Sequence, residues 1–213
     1  MTVGDGVTAG RGDIFLAGVG GQGTLLASEV LGEAFLLSGY DVKKSEVHGM
    51  AQRGGAVTTH LRFGPKVFSP LIEPGKADLL ISFEKIEGLR FAHYLRPGGT
   101  LVVNTQEIYP PSVATGREPY PADAMDRLAK VTDRFFPVDA LAAALSLREV
   151  RAVNMVMVGA GSHFLPLPVE AYAEAVRRCL PERVQEVNVL AFRAGRALLK
   201  AQAGSQEEGG VRR

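Results

Sequence analysis

An apolar run, Ile14 to Ala17 in the stretch DIFLAGVGGQG, passes directly into glycines and then into a helical pattern from Gln22 to Ser38. A strand that turns at once into a helix able to pack back on it leaves few architectures open, chiefly α/β sheets with helices on their faces. The glycines fit G-x-G-x-x-G through Gly18, Gly20 and Gly23, at the junction where that pattern has a mechanical meaning. They permit the tight turn and a close backbone approach, and the free N–H groups at the helix start attract anions. The same residues would equally serve a strand-to-helix junction that binds nothing, and the sequence supports both readings.

The remaining chain keeps the alternation. In the first helix Ser28, Glu29, Gly32 and Glu33 share one narrow polar face while Leu25, Leu26, Val30, Leu31, Phe35 and Leu37 cover the rest, so it packs along most of its girth. YDVKKS and AVTTHLRFG read as a second and third strand, the third with an alternation that predicts one less buried face. ADLLISF is continuously apolar, as expected of a parallel strand covered on both sides. EKIEGLRFAHYL then reads as a helix ended by RPGG, TLVVN as a strand, and 104–120 as a proline-rich loop. PADAMDRLAK is helical, DRFFPVD a short strand and ALAAALS a helix, and from Val153 the pattern is helical throughout, with Pro168 and Pro181 at helix starts.

The predicted fold class is therefore α/β: a doubly wound, Rossmann-like, mostly parallel sheet of about five or six strands, with helices on both faces and a helical C-terminal tail. Residues 13–202 form a single α/β domain with a helical extension from about 152, between a flexible leader, 1–12, and a flexible tail, 203–213.

Charge and cysteine content exclude several functions. A formal net charge of +1 in 213 residues gives no basic field for a phosphate backbone, so nucleic acid is not an expected partner. One cysteine, Cys179, allows no internal disulfide and no cysteine-based zinc or iron–sulfur cage on this chain alone. It reads as a small residue on a helix flank. No metal site is expected. No apolar run reaches membrane-spanning length and the first residues lack a basic start with an apolar core, so the expected location is cytoplasmic.

Two further stretches bear on ligands. A dinucleotide unit of the NAD type ends its second strand with an acid for the ribose, whereas DVKKSE places Lys43 and Lys44 there. That disfavours NAD and tolerates an extra phosphate, as in NADP or coenzyme A; a solvated strand end accounts for the lysines as well. The following stretch, SEVHGMAQRGGAV, concentrates polar groups and backbone freedom. Gly49, Gly54 and Gly55 allow a turn, and Glu46, His48, Gln52 and Arg53 supply an acceptor, a titratable ring, an amide and a cationic fork at the strand ends where open α/β sheets bind ligands. A structural histidine and a loop-closing Glu46–Arg53 ion pair are the simpler alternatives.

Gly18 to Gly64, GVGGQGTLLASEVLGEAFLLSGYDVKKSEVHGMAQRGGAVTTHLRFG, resembles the gamma-type subunit or domain of the 2-oxoacid:ferredoxin oxidoreductases, with the indolepyruvate branch nearest. NMVMVGA and NVLAFRAG are also similar to it, so the likeness covers nearly all of the chain between its ends. The glycine loop together with E-V-H-G-M-x-Q-R-G-G is far more specific than either motif alone.

What the resemblance implies is a component rather than a complete enzyme. The family decarboxylates a 2-oxoacid on thiamine diphosphate, passes electrons through iron–sulfur clusters to ferredoxin and releases an acyl-CoA. Thiamine diphosphate, its magnesium ion and the clusters are expected on a larger alpha-type partner subunit, with none bound tightly here and coenzyme A as a contact. No catalytic residue is assigned to this chain. The positions matching the family motifs are Gly18, Gly20, Gly21, Gln22, Gly23, Glu46, His48, Gln52 and Arg53, implied to serve cofactor or partner binding. Gly20 to Gly23 would present N–H groups to an anion or to partner backbone, Arg53 would pair with a phosphate or carboxylate, and Glu46 and His48 would orient the loop. A free-standing NADP- or coenzyme A-binding protein and a purely structural subunit stay open as alternatives, as does pairing of the isolated chain with itself.

Overall fold

The computed structural model describes residues 10–48, 54–109, 111–117 and 119–210. Strand β1 (Gly12–Val19) leads into helix α1 (Thr24–Leu37), followed by β2 (Asp41–His48), β3 (Ala56–Gly64) and β4 (Ala77–Ser82). Then come α2 (Lys85–Phe91), extended by a 3-10 turn (Ala92–Tyr94), β5 (Leu95–Asn104), the short α3 (Pro111–Ala114), α4 (Ala124–Ala129) and β6 (Phe135–Val138). Helices α5 (Ala140–Ser146), α6 (Val153–Ser162), α7 (Val169–Cys179) and α8 (Glu182–Gly210) complete the order, the last running beyond residue 202.

Among the described residues six strands form one sheet in the order β2-β3-β1-β4-β5-β6. β1, β4, β5 and β6 pair in parallel, whereas β3 runs antiparallel to both β1 and β2. The doubly wound, mostly parallel α/β fold is thus present, with one reversed strand. That reversal was not expected from the strand–helix alternation: β2 ends at His48 and β3 begins at Ala56, a separation too short for the crossover connection a parallel pair needs.

Side-chain alternation along β1 divides the core. Ile14 and Leu16 join Leu61, Phe63, Leu79 and Ile81 beneath α1, α6, α7 and α8. Phe15 and Ala17 join Leu80, Leu101 and Leu128 on the opposite face, against α2 and α4. A strand buried on both faces needs this continuous apolar sequence. Phe35 of α1 stacks on Phe63 of β3 with ring centroids 3.7 Å apart; burying each ring contributes about 1.5–3 kcal/mol.

Two local expectations differ from the structure. Ser28 and Gly32, assigned to the polar face of α1, are buried, because that face lies over β2 and β3. A β-carbon on Gly32 would meet Leu61 and Val42. β3 is buried along nearly its whole length, since His60 packs on its second face against Phe15 and Tyr94 and accepts from the Ile72 N–H at 3.0 Å.

α6 is buried throughout and crosses α8 at backbone contact. A β-carbon on Gly159 would collide with the Phe192 carbonyl, and one on Gly195 with the Val156 carbonyl. Glycine at both positions lets the helices approach closely, and Arg196 ties them by donating to the Ser162 carbonyl at 2.5 Å. NMVMVGA and NVLAFRAG are therefore the two sides of one helix crossing, and the crossing fixes where the N-terminus of α6 lies.

Candidate functional site: the carboxyl edge of the sheet

β1 and β4 run parallel, and the turn after β1 lies beside the turn that precedes β3. The Gly20 N–H donates to the Gly55 carbonyl at 2.8 Å and the Gly54 N–H reaches the Gly20 carbonyl at 3.5 Å. The two glycine-bearing segments are consequently laced together at one edge. Gly21 and Gly54 have positive φ, 104° and 78°, and open space where a side chain would stand, so both are free to meet another surface.

The other glycines serve packing. A β-carbon on Gly18 would lie 2.7 Å from Thr24 Oγ1 and 3.0 Å from Phe83 Cβ. Gly23 has φ 77° and abuts the Asn154 side chain, whose amide donates to its carbonyl at 3.3 Å. α1 starts with no side-chain cap and no acid in its first turn, so its N–H groups keep their affinity for an anion or an acceptor.

Gln22 fills the crevice between β1 and β4. Its Oε1 accepts from the Val19 N–H at 2.8 Å and its Nε2 donates to the Phe83 carbonyl at 2.7 Å. Asn104, fully buried at the end of β5, donates to the same carbonyl at 3.2 Å. This is where doubly wound sheets admit a dinucleotide, and here the crevice is bridged by the protein's own amides.

Next to it stands buried Glu84. One carboxylate oxygen caps α2, accepting from Ile86 N at 2.6 Å and Glu87 N at 3.1 Å. The other accepts from the Tyr120 hydroxyl at 2.6 Å. Burial first, and then this hydrogen bond to Glu84, hold the Tyr120 phenol well above its ordinary pKa, so it acts as a fixed donor. Burial likewise raises the Glu87 carboxyl above its usual range. Lys85 pairs with Glu107 at 2.6 Å and lies over the Tyr120 ring. The 104–120 segment is therefore fastened to the edge at several points, with Tyr109 left more than half exposed.

The motif residues separate on this surface. Gly18, Gly20, Gly21, Gln22 and Gly23 lie together at the edge. Glu46 sits on β2 opposite Thr59 and pairs with Lys44 at 2.7 Å, while both reach Ser28 on α1. His48 ends β2, with its backbone opposite Val57. Gln52 and Arg53 lie outside the described residues. Among the described residues no three His, Cys, Asp or Glu side chains gather as metal ligands, and no helix is long and apolar enough to cross a membrane.

Residues 13–198 match the family model described as pyruvate ferredoxin/flavodoxin oxidoreductase. The chain belongs to that family. Within it, the indolepyruvate oxidoreductase subunit IorB of Thermococcus kodakarensis is 37% identical, covering 90% of this chain and 98% of its own length. The subunit of the same name from Archaeoglobus fulgidus is 39% identical, covering 87% and 94%. Their names make this pyruvate ferredoxin/flavodoxin oxidoreductase family member a subunit of an oxidoreductase. The keto/oxoacid ferredoxin oxidoreductase gamma subunit of Geobacter sulfurreducens shares the fold, with TM-score 0.67 at 22% identity over 89% of this chain and 98% of that one. A 2-oxoglutarate:ferredoxin oxidoreductase chain from Magnetococcus marinus contains it as well, with TM-score 0.69 at 19% identity over 91% of this chain but 32% of that one.

Glu84, Asn104, Tyr120 and Asn154 complete the edge, and motif reasoning passed over them. Glu84 and Asn104 are the polar residues that close the apolar runs ADLLISF and TLVVN, a position at which a carboxyl-edge side chain could have been sought. Asn154 heads α6 far along the chain, and nothing local connects it with Gly23.

Proposed function

We propose that this chain is the non-cofactor-bearing subunit of a thiamine diphosphate- and iron–sulfur-dependent 2-oxoacid:ferredoxin oxidoreductase, converting an aryl 2-oxoacid such as indolepyruvate to its acyl-CoA, with ferredoxin as electron acceptor. The observation that carries the reading is the Gly20–Gly55 hydrogen bond, which joins both family motifs into one surface suited to a larger alpha-type subunit. The relatives' names support the indolepyruvate substrate.

The donor set on this chain does not fit a cluster: Cys179 is its one cysteine, and burial foremost pushes its thiol pKa up, away from the thiolate a cluster needs. The carbon and electron chemistry therefore belongs to the partner. This chain's part is to present N–H groups and the 46–55 segment to that partner, with Gln22 and the strapped 104–120 segment keeping the edge rigid. The uncapped start of α1, beside the open Gly21, favours a coenzyme A phosphate as a secondary contact. The bridged β1–β4 crevice argues against a free-standing NADP protein.

Co-expression with a thiamine-dependent, cysteine-rich partner tests the reading. Indolepyruvate- and coenzyme A-dependent reduction of a low-potential acceptor is expected only when both chains are present. Saturable NADP binding by the purified chain, or turnover by either chain alone, would overturn it. Arg53→Ala should weaken assembly or coenzyme A use while leaving the melting midpoint of the isolated chain unchanged.

A further inference from the structure

β6 closes one side of the sheet with a strand of 4 residues, but the opposite side is bounded by β2, 8 residues long. A long edge strand presents unpaired N–H and C=O groups and is usually protected by charge. Here each lysine is matched within the strand, Lys43 by Asp41 at 2.9 Å and Lys44 by Glu46 at 2.7 Å. The edge therefore carries no excess charge to repel a copy of itself.

We propose that β2 pairs antiparallel with β2 of a second copy about a two-fold axis through Ser45, extending the sheet across the dimer. A two-fold axis normal to the sheet keeps every side chain on its own face, so a residue can stand only opposite one an even number of positions away. The axis must then pass through a residue. Placed at Lys43, Lys44 or Glu46, it sets that charge against itself, which is unfavourable for directly opposed side chains. At Val42 or Val47 the strands scarcely overlap. At Ser45 the overlap runs from 42 to 48, and each Lys44 faces the other copy's Glu46. Joined to the Lys44–Glu46 pair within each strand, these contacts make a ring of alternating charge about the axis. On the other face the Lys43 stem crosses Val47, which is 54% exposed in the single chain.

One strand pairing buries less surface than a permanent dimer requires, so association is expected on the order of 10–100 µM. Sedimentation velocity of the purified full-length chain across that range should show a monomer–dimer equilibrium. Lys44→Glu and Glu46→Lys should each weaken it about tenfold, because symmetry doubles every substitution, and the double exchange Lys44→Glu/Glu46→Lys should restore it. Melting midpoints in dilute solution separate loss of pairing from loss of fold. In a Cys179→Ser background, Ser45→Cys should oxidise to a covalent dimer faster than Lys43→Cys or Val47→Cys. A monomer throughout the range, indifference to both charge reversals, equal cross-linking at all three positions, or β2 becoming covered only when a larger subunit is added would each overturn the proposal.

Discussion

Gly20 donates its backbone N–H to the carbonyl of Gly55 at 2.8 Å, and through that bond between residues more than thirty positions apart the two glycine motifs share one edge of the sheet. The β1–α1 turn cannot shift without moving the turn that precedes β3. Around this bond the edge is hydrogen-bonded through Gln22, the buried Asn104 amide and the buried Glu84 carboxylate, while Gly21 and Gly54 face open space. Under the proposed function, this is the surface offered to the partner subunit.

Gln22 is the first point of test. Replacing it by Glu keeps an acceptor for Val19 N but puts a second acceptor against the Phe83 carbonyl. A loss of about 1–3 kcal/mol is expected, measured by urea unfolding and larger at neutral than at acidic pH, where the carboxyl can donate.

Gly23 and Asn154 should prove coupled. Gly23→Ala meets strain at φ 77° as well as the Asn154 side chain, a combined cost of about 2–4 kcal/mol. An Asn154→Ala background removes the two nearest contacts, with Nδ2 and Cγ at 2.5 and 3.0 Å, and leaves the backbone strain and the 3.3 Å approach of the retained Cβ, so a double-mutant cycle should return a coupling of about 1 kcal/mol or more. Strict additivity would mean that the two side chains do not touch.

The α6–α8 crossing allows no side chain at its centre. Gly159→Ala and Gly195→Ala should each destabilise by about 3 kcal/mol or prevent folding, whereas Gly204→Ala, in open space on the same α8, should be neutral or slightly stabilising. Thermal unfolding of the three variants checks the contrast.

Acidification should act through His60. Its Nδ1 accepts from the Ile72 N–H, and burial lowers its pKa from the ordinary 6.5. The native chain thus holds the ring neutral while the unfolded chain protonates it first. Stability is complete above pH 6.5 and declines as the pH falls from 6.5 toward the lowered native value. A denaturant midpoint followed from pH 7.5 down to about 5 should show this slope, and His60→Gln should flatten it.

Much of this architecture is legible in the sequence because it rests on local periodicity. The apolar run entering GVGGQG, the continuous ADLLISF and the helical pattern after Val153 each specify an element by the spacing of residues that must leave water. Which turn bears glycine is legible too, since few other residues tolerate positive φ. The motif residues Gly18 and Gly23 carry less ligand meaning than their pattern suggests, because their missing side chains make room for Thr24, Phe83 and Asn154, and that can be known only once those groups are in place.

Three things were decided by tertiary structure alone. The direction of β3 follows from its antiparallel pairing with both β1 and β2, which alternation of strands and helices does not encode. The burial of Ser28, Gly32 and His60 follows from what packs on each face, Glu46 and Lys44 against Ser28, and Ile72 against His60. The union of the two glycine motifs with Glu84, Asn104 and Asn154 brings together groups up to 131 positions apart. Local sequence sets the conformation each segment favours by itself; partners at that separation meet only after the whole sheet and the α6–α8 crossing have formed.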